Sequence, residues 1–483
     1  MKNQFTNFKL DTTIIKSLDN LNYNKPSKVQ IKVIPKLLEN KEVIVKSKTG
    51  SGKTASFGIP ICEKINVENN SVQALIIVPT RELALQVKEE IGNIGRLKKV
   101  RCSAIFGKQS MKEQIHELKQ RVHIVVATPG RIIDHLERET INVENLKYFI
   151  IDEADKMLNK GFIEQIENIL KHTPKEVCMG LFSATIEEDI KYICNKYMEK
   201  PISIEIEEND DIKRKQIEEY VIKVDNNKYE TLKRVIYNQN PKSIIIFCNT
   251  KDEVKKIYSK MKADDFSVCQ IHGDMSQDKR IFVVDDFKKG KYRILISTDV
   301  SARGIHIDDI SLVINYDVPR DKENYVHRKG RTGRKDSFGK AIMIVDEKSE
   351  KYLLEIQDYI GYEIEEFKNL ETSDYKLDEI KFKEYQRKLQ NNKSKNKSNK
   401  QQYSEVTRFY LNAGKKKKIR LIDIVGAINN LDGINNEDIG VIEVQDLCSY
   451  VDILNNKGSM ISKQYREIEI KKKSVKIKVD NKR

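Results

Sequence analysis

Residues 47–54 read Ser-Lys-Thr-Gly-Ser-Gly-Lys-Thr and directly follow a short apolar run. Two glycines permit a tight backbone turn that aims N–H groups at a phosphate, and a helix N-terminus beyond the turn adds partial positive charge. Lys53 is placed to reach the β- and γ-phosphate oxygens, and Thr54 is placed to ligate Mg²⁺. The stretch therefore predicts a site for nucleotide phosphates, with Ser47 standing where the general pattern has its first glycine.

A pair of carboxylates, Asp152 and Glu153, follows another apolar run at residues 148–151. A carboxylate at the end of such a strand can hold Mg²⁺, usually through water, and Asp152 is the candidate. Glu153 is the candidate for the base that orients and deprotonates an attacking water. An acidic pair alone is usually a solvated turn, but the phosphate loop favours the catalytic interpretation.

A dense cationic cluster, His-Arg-Lys-Gly-Arg-Thr-Gly-Arg, occupies residues 327–334. Arg331 and Arg334 lie close together in it, and a planar guanidinium suits the charge that phosphoryl transfer spreads over the equatorial oxygens. We interpret the pair as arginine fingers that a second domain supplies when it closes on the nucleotide. Without the other motifs, the cluster would more often be a basic surface patch.

Length and composition limit the class of protein. A chain of 483 residues suggests about three domains of roughly 100–200 residues each. No run of about 18 apolar residues occurs, which argues against a membrane span, and the first residues lack a signal-peptide core. Seven scattered cysteines without a Cys-x-x-Cys pair indicate reduced thiols in a cytoplasmic protein and argue against a zinc site.

The net charge of +15 is unevenly distributed. Residues 383–483 hold 23 Lys and Arg against 12 Asp and Glu, so most of the excess lies in this tail. A basic tail on a nearly neutral body indicates a polyanionic partner, most plausibly nucleic acid. The alternative is a tail that only increases solubility.

The pattern of apolar runs predicts two α/β domains, each with a parallel sheet covered by helices. Predicted strands of the first domain lie at residues 43–46, 74–78, 124–127, 148–151 and 180–182. Those of the second lie at residues 243–248, 268–271, 293–297, 312–315 and 340–345. We place the first domain at 1–207 and the second at 216–366.

The tail is predicted to be a flexible basic linker at residues 367–403 followed by a small α+β domain at 404–483. Residues 391–402 are almost all Asn, Lys, Ser and Gln, which is typical of a linker. Strands predicted at 406–412, 441–444, 447–454 and 474–479 bracket helices near 419–430 and 459–467. The order βαββαβ is common among RNA-binding domains.

From about residue 5 to residue 345 the chain resembles the DEAD-box ATP-dependent RNA helicases, which consist of two tandem RecA-like domains. The resemblance is specific because several motifs occur in the family's order. The matching stretches are Phe5 with residues 23–30 (YNKPSKVQ), 79–84 (PTRELA), 128–131 (TPGR), 183–185 (SAT), 246–250 (IFCNT), 277–280 (QDKR) and 298–304 (TDVSARG).

The motifs and the resemblance together assign roles to individual residues. Catalysis is assigned to Lys53, Asp152, Glu153, Arg331 and Arg334, and Mg²⁺ ligation to Thr54 and, through water, Asp152. ATP binding is assigned to Phe5, Tyr23, Lys25, Gln30, Ser47, Lys48, Thr49, Gly50, Ser51, Gly52, Lys53, Thr54, Asp152, Glu153, Gly304, His306, Arg331 and Arg334. Coupling of ATP to RNA is assigned to Asp155, Ser183, Ala184, Thr185, His327 and Arg328.

Two of these assignments have a particular chemical basis. The Gln30 amide can accept from adenine N6 and donate to N7, which would favour ATP over GTP. His306 departs from the family, which usually has an Asp associated with the nucleotide sugar at this point.

RNA contacts in the first two domains are expected to position one strand through its phosphates without reading sequence. They are assigned to Pro79, Thr80, Arg81, Gly107, Thr128, Pro129, Gly130, Arg131, Arg280 and Thr298. In the tail, residues 409–418 and 423–428 resemble the RNA-recognition domain of bacterial DbpA-type helicases. The tail contacts are Lys415, Lys416, Lys417 and Lys418 for phosphates, and Tyr410 and Tyr450 for stacked bases.

The resemblance implies a monomeric ATPase that opens short RNA duplexes locally and is directed to a hairpin of 23S ribosomal RNA during assembly of the large subunit. Two other enzymes remain possible: a DNA helicase or translocase of the same superfamily, and a general RNA-remodelling or mRNA-decay helicase. A non-enzymatic RNA clamp is a further alternative, against which the set Lys53, Glu153 and Arg334 argues. Tyr410 and Tyr450 could also be sheet-surface residues without an RNA role.

Overall fold

The computed structural model describes residues 3–47, 51–158, 161–206, 217–225, 227–299, 310–333, 338–368, 374–399 and 406–480. The chain divides into two compact units, one formed by residues 1–206 together with 401–483 and the other by residues 207–400. The three predicted folded regions are described in turn below.

A parallel seven-stranded sheet forms the first region among the residues that the structure describes. Its strands β1 to β7 are Val43–Lys46, Ala74–Ile77, Cys102–Ile105, Ile124–Ala127, Tyr148–Asp152, Cys178–Ser183 and Ile202–Glu205. The strand order is β3-β4-β2-β5-β6-β1-β7. Most of these strands are apolar along their whole length because helices cover both faces of the sheet.

The helices of this region follow the strands in alternation. Helices α1 to α9 are Thr12–Asn20, Lys28–Leu38, Lys53–Lys64, Arg81–Ile94, Met111–Leu118, Pro129–Glu137, Ala154–Leu158, Ile163–Lys171 and Glu188–Tyr197. Side-chain caps start several of them: Asp11 caps α1, Thr80 caps α4, and Ser27 forms a capping box with Gln30 at α2. These caps fix the residues at which the three helices begin.

A second parallel sheet repeats the design. Strands β8 to β14 are Ile217–Lys223, Ile244–Phe247, Val268–Ile271, Ile294–Ser297, Leu312–Asn315, Gly339–Val345 and Glu365–Glu366, in the order β10-β11-β9-β12-β13-β8-β14. Helices α10 to α15 are Lys228–Gln239, Lys251–Ala263, Gln277–Lys288, Lys322–Lys329, Glu350–Ile360 and Tyr375–Asn399. The prediction of two tandem α/β domains is confirmed.

The third region is an antiparallel sheet with helices on one face. Strands β15 to β19 are Thr407–Leu411, Ile439–Val444, Ser449–Ile453, Glu467–Ile470 and Lys473–Val479, and helices α16 and α17 are Leu421–Asn429 and Gly458–Gln464. The small α+β fold is therefore confirmed, with one strand more than predicted. Helix α17 ends at Gln464, and Glu467–Ile470 pairs with β19 because Ile468 and Ile470 alternate into the core.

The prediction of a flexible linker at 367–403 is wrong over much of its length. Phe367 is buried, and helix α15 occupies Tyr375–Asn399. Phe382 on this helix is 1% exposed, and its ring lies 5.4 Å from that of Tyr237 and 3.9 Å from the Arg293 guanidinium. Aromatic packing thus extends the second region beyond residue 366. Within the described parts of the chain, every helix is too short or too polar to span a bilayer.

Candidate ATP and RNA sites

The predicted phosphate loop follows the carboxyl end of β1 and leads into α3. Ser47 N–H donates to the carbonyl of Ser183 at 2.9 Å, which ties the loop to β6. Lys53 begins α3 and is 7% exposed, and its Nζ donates to the Ser47 carbonyl at 2.8 Å. The Ser47 and Ser51 hydroxyls lie 3.2 Å apart. The side chain of Lys53, the residue predicted to bind the phosphates, is thus bonded to the first residue of the loop.

Gln30 and Gly52 are packed tightly against each other. Gln30 is buried, donates from Nε2 to the Gly52 carbonyl at 3.2 Å and accepts the Ser27 N–H at 2.9 Å. Gly52 has φ +91°, and a Cβ there would lie 2.6 Å from Gln30 Nε2. Since an amide has two donors and two lone pairs, Gln30 retains capacity for an adenine edge after these two bonds.

Asp152 and Glu153 meet the loop from the end of β5, two strands away from β1 in the sheet. Burial raises the pKa of Asp152 to about 6; Lys53 acts in the opposite direction, and Glu153 acts with burial. Glu153 has φ +54°, is buried, and accepts a hydrogen bond from Lys156 Nζ at 2.8 Å. A positive φ is uncommon for a residue other than glycine, and Glu153 adopts it directly after β5.

Oxygen donors at the loop fit a divalent cation. Thr54 lies in the first turn of α3, and the Asp152 carboxylate is buried beside Lys53. Hard oxygen ligands of this kind suit Mg²⁺, which usually keeps water and phosphate oxygens in its shell. Among the described residues there is no group of three His, Cys, Asp or Glu that could hold a metal ion.

A hydrogen bond links the residues after β5 to the coupling motif after β6. The Asp155 N–H donates to the Ser183 hydroxyl at 3.1 Å. The hydroxyl of Thr185, which the sequence places in the same role, contacts Glu187 at 3.4 Å. The structure therefore brings Ser183, but not the Thr185 hydroxyl, to the Asp155 backbone.

The predicted adenine segment precedes α2. Phe5 is fully buried, and its ring lies 6.3 Å from that of Tyr23 in an edge-on arrangement. The Tyr23 hydroxyl donates to Glu90 at 3.1 Å, and burial raises its pKa. Lys25 is exposed. In this structure Phe5 packs against the ring of Tyr23. In the sequence, Lys25 precedes the capping serine and Gln30 follows it.

The predicted RNA contacts occupy the other half of the same sheet edge. Those of the first region follow β2, β4 and β3, whereas the predicted ATP and coupling residues follow β1, β5 and β6. Thr80 caps α4, Thr128 precedes α6, and Arg81 lies beside Gly107, where a Cβ would stand 3.3 Å from the Arg81 guanidinium. One sheet edge thus presents a phosphate loop and, beside it, a row of strand-end groups suited to a polynucleotide backbone.

Arg131 is held by a buried network that the sequence analysis missed. Its Nη1 donates to the Gln109 carbonyl at 3.0 Å and to Gln114 Oε1 at 2.8 Å. His135 Nε2 lies 3.1 Å from the same Oε1, and the Gln114 NH₂ donates to Gln109 and to Phe106. All donors and acceptors of the Gln114 amide are used. A glutamine and a histidine within helical patterns give no sequence signal for such a role.

Arg328 is the corresponding anchor in the second sheet. It is 1% exposed and forms a two-pronged ion pair with Asp299, at 2.5 and 2.6 Å. It also donates to Asn249 Oδ1, Asn315 Oδ1 and the Asp317 carbonyl. Arg328 therefore ties together the ends of β9, β11 and β12, which positions the turn that carries Arg331.

The remaining predicted residues divide into those that the structure describes and those that it does not. Thr298 and Arg331 are described, with Thr298 at the end of β11 and Arg331 just after α13, and His327 and Arg280 lie on α13 and α12. Lys48, Thr49, Gly50, Gly304, His306 and Arg334 lie outside the described residues.

The tail domain carries two lysine runs at neighbouring turns. Lys416, Lys417 and Lys418 are exposed and Lys415 is half-buried. The tip of the β18–β19 hairpin adds the exposed run at residues 471–473, and Lys471 Nζ donates to the Lys418 carbonyl at 2.9 Å. The second run was not singled out from the sequence, although three consecutive lysines between two alternating strands are a visible signal. Tyr410 and Tyr450 are half-buried on the sheet, 5.7 Å apart.

Comparison with known proteins identifies the family of all three regions. Residues 27–193 match the model of the DEAD/DEAH box helicases, residues 227–336 that of the helicase conserved C-terminal domain, and residues 408–479 that of the DbpA RNA binding domain. The chain is 47% identical over 480 residues to the ATP-dependent RNA helicase DbpA of Bacillus subtilis, covering 99% of both chains. This chain belongs to the DEAD-box ATP-dependent RNA helicases of the DbpA type. It is an enzyme that uses ATP and binds RNA.

Other relatives share the helicase region. The DEAD-box ATP-dependent RNA helicase CshA of Geobacillus kaustophilus is 43% identical, with 71% of this chain and 73% of that protein covered. Among solved structures, S. cerevisiae Dbp5 bound to RNA and ADP BeF3 matches with a TM-score of 0.68 at 30% identity, covering 79% of this chain and 99% of that one. A DEAD box protein from Methanococcus jannaschii matches at 41% identity and a TM-score of 0.50, covering 75% and 99%.

Proposed function

We propose that this helicase opens short RNA duplexes locally and non-processively, as a cytoplasmic monomer, and that its tail directs it to 23S ribosomal RNA during large-subunit assembly. The observation that carries the proposal is the presence, in one chain, of a DEAD/DEAH box helicase region and a DbpA RNA binding domain. A helicase with a dedicated RNA-binding module can act repeatedly near one site without travelling along the strand.

In the ATP site we assign Lys53 to the β- and γ-phosphates and Gln30 to adenine. When bound, Mg²⁺ would be held by Thr54 and, through water, by Asp152, and would neutralise phosphate charge. Glu153 orients and deprotonates the attacking water, and its burial and its φ of +54° support this role because strained backbone is concentrated at active sites. The remaining predicted loop residues position the phosphates through backbone N–H groups.

Arg331 and Arg334 are proposed to reach the γ-phosphate when the second domain closes on ATP. The buried Arg328 network supports this assignment, since it fixes the turn after α13 from which Arg331 projects. An arginine finger contributes on the order of 10³–10⁵ in rate. His306 is proposed to hydrogen-bond the nucleotide sugar in place of the family's usual Asp.

On the RNA side, we propose that strand-end groups hold one strand through its phosphates. Arg81, Arg131 and Arg280 supply guanidinium contacts, with Pro79, Thr80, Gly107, Thr128, Pro129, Gly130 and Thr298 beside them. Ser183 couples the sites through its bond to Asp155, together with Ala184, Thr185, His327 and Arg328. Contacts to phosphates position a strand without reading its sequence.

The energies are consistent with local opening by one ATP-binding event. Separating about five base pairs costs roughly 7 kcal/mol at about 1.4 kcal/mol per step. Shifting a two-state protein from 1:99 to 99:1 takes about 5.5 kcal/mol of differential binding. The two quantities are comparable, so closure on ATP and RNA can open a short duplex, and hydrolysis then resets the open state.

Targeting is assigned to the tail domain. Exposed Lys416, Lys417 and Lys418, with Lys415 beside them, contact phosphates, and Tyr410 and Tyr450 stack on bases. A general RNA-remodelling helicase is the second candidate function. Its support is the match of 71% of this chain, short of its full length, to the DEAD-box ATP-dependent RNA helicase CshA.

An ATPase assay with a panel of RNAs tests the proposal. The intact chain should be stimulated by a 23S fragment that contains the hairpin at a lower concentration than by unrelated RNA. Removal of residues 404–483 should abolish this preference and leave weak stimulation by any RNA. Equal stimulation of the intact chain by all RNAs would favour the general remodelling function, and DNA stimulation would indicate a different polynucleotide substrate.

A further inference from the structure

One face of the tail sheet contacts the first helicase domain, which belongs to the same compact unit. In strands β15 and β17, Arg408 pairs with Asp452 and Tyr410 with Tyr450, so these four side chains lie on one face. Phe409 and Val451 alternate with them and are buried in the tail's own core. The face with the tyrosines is therefore the one that points away from α16 and α17.

At the centre of this face lies an ion pair that joins the two domains. Arg96, which follows α4 of the first domain, donates from Nε and Nη2 to the two carboxylate oxygens of Asp452, both at 2.9 Å. Gln120 Nε2 adds a bond to the Val444 carbonyl at 3.2 Å. A two-pronged arginine–carboxylate pair fixes orientation as well as distance.

Burial distinguishes this contact from a chance surface encounter. Asp452 is 2% exposed although it lies on the outer face of its sheet. Arg408 adds to its environment, with Nη1 3.7 Å from Asp452 and Nη2 2.7 Å from Glu443. A charge is rarely this buried unless it is paired, and surface ion pairs generally contribute little. The site is thus a desolvated cluster to which both domains contribute.

The pKa shifts of neighbouring groups are consistent with a contact between the two domains. Burial acts to raise the pKa of Glu443, but Arg408, together with Lys88 and Arg101 of the first domain, outweighs burial and lowers it. Burial lowers the pKa of Arg101, while Glu443 and Glu117 oppose that shift. The facing surfaces therefore carry complementary charge, basic on the helicase domain and acidic on β16 and β17.

We propose that the tail sheet is a docking face for the first helicase domain, latched by Arg96 and Asp452, and that RNA competes with the helicase domain for this face. Tyr410 and Tyr450 lie beside the latch, and the Arg408 guanidinium sits 4.8 Å from the Tyr450 ring. Bases that stack on the two rings would occupy the space that the first helicase domain takes when it docks. They would also contact Arg408, which pairs with Glu443 in the docked state. The competition rests on the proposed RNA role of the tyrosines, whereas the docking does not.

Carbodiimide coupling with peptide mapping by mass spectrometry tests the docking on the full-length chain. The reagent joins a lysine ammonium to a carboxylate without a spacer, so docking should give a Lys88–Glu443 link. The Lys88–Glu117 pair, 3.9 Å apart within the first domain, is an internal control that does not depend on docking. Absence of the Lys88–Glu443 link in the unmodified protein, with the control link present, would overturn the proposal.

Charge substitutions test the latch itself. Arg96→Glu and Asp452→Arg should each reduce the Lys88–Glu443 link by about tenfold, because each places two like charges against each other at the latch. The double variant, Arg96→Glu with Asp452→Arg, should recover most of it. Arg466→Glu, at an exposed arginine of the tail, should leave it unchanged. An unchanged link in Arg96→Glu contradicts the latch even where Asp452→Arg fails to fold.

RNA addition tests the competition separately. An unstructured RNA oligonucleotide should weaken the Lys88–Glu443 link in the unmodified protein. Arg96→Ala should bind this RNA several-fold more tightly without ATP, and Arg138→Ala, which removes an exposed charge from the same domain, should not. Bound RNA that leaves the link unchanged refutes competition but not docking, and failure of the protein to bind RNA at all would refute the proposed function instead.

Discussion

The two halves of the carboxyl edge of the first sheet are built differently. The ATP half, at the ends of β1, β5 and β6, is made of motifs whose parts lie a few residues apart and contact one another: Lys53 bonds Ser47, and Glu153 bonds Lys156. The RNA half depends on long-range support. Arg131 is oriented by Gln114, a residue on another helix that carries no motif. Local motifs can be recognised in a sequence, whereas remote supports require the fold.

Loss of the Glu153 carboxylate should have the largest effect, and it should impair ATP hydrolysis without impairing RNA binding. Glu153→Gln keeps the shape of the side chain but cannot accept the proton of the attacking water, so RNA-stimulated turnover should fall by about 10²–10⁴. Binding of ATP and RNA, measured by equilibrium titration, should persist. Glu139→Gln is a matched control, because Glu139 also has positive φ, +51°, and lies on the surface. Normal turnover in Glu153→Gln would remove this residue as the base.

Gly52→Ala should be the next most damaging change. The added Cβ would lie 2.6 Å from Gln30 Nε2 at a φ of +91°, so either the loop or the glutamine must shift. Left-handed backbone costs an alanine roughly 1–2 kcal/mol, and the clash adds to this cost. We expect ATP affinity to fall about tenfold, in line with roughly 1.4 kcal/mol per tenfold change.

Gly92→Ala provides the control for that experiment. Gly92 lies within α4, and no heavy atom stands within 4 Å of the position that its Cβ would take. An alanine there should leave ATP affinity unchanged and stabilise the domain by about 0.5–1 kcal/mol, because glycine disfavours a helix interior. If both alanines had the same effect on ATP binding, the tight contact between Gly52 and Gln30 would not be important.

The sequence predicted well those elements whose cause is local. Strands at 43–46 and 124–127 have the predicted bounds, because uninterrupted apolar residues mark a strand buried on both faces. Cys102–Ile105 and Ile217–Lys223 were missed, the first because Ser103 interrupts its apolar pattern, the second because Glu218 and Glu219 interrupt it. Helix α15 was missed because its composition resembles a linker, and three aromatic contacts decide its fold.

The candidate sites follow the same division. The predicted phosphate loop, the carboxylate pair and Arg328 came from motifs, and the structure places Lys53 after β1 and Asp152 and Glu153 at the end of β5, two strands away. Gln114, His135 and the pair Arg96–Asp452 were not found, since their partners lie up to 356 residues away. Partners so distant in the chain leave no spacing for a motif to show.

Gln114→Leu should weaken RNA binding and leave ATP binding unchanged. The substitution removes the acceptor that orients Arg131 and leaves the Phe106 carbonyl without its donor. RNA affinity should fall about tenfold, as for the loss of one charge-assisted hydrogen bond. ATP affinity without RNA should be unchanged. Glu113→Gln, on an exposed position of the same helix, is the control, and an equal loss of ATP affinity in Gln114→Leu would show general unfolding instead.

The smallest expected effect is a pH dependence that originates in the RNA half. Burial lowers the pKa of His135 from its usual value of 6.5 to about 4, with Arg131 acting in the same direction. Gln114 Oε1 can only accept, so His135 Nε2 carries the hydrogen in the neutral ring. Because the folded state resists protonation, the stability due to neutral His135 is present above pH 6.5 and is lost as the pH falls towards 4.

Chemical unfolding of the first domain at pH 7, 6 and 5 measures this loss. Burial also lowers the pKa of His123 to about 4, so both histidines contribute to the slope. His135→Gln should therefore make the slope shallower without removing it, and His123→Gln should do the same. If His135 acts through Arg131, then RNA affinity should weaken between pH 6.5 and pH 5 in the unmodified protein and less so in His135→Gln. Equal pH slopes in all three proteins would mean that these rings titrate alike in the folded and unfolded chains, and the buried network would not support Arg131 through a neutral histidine.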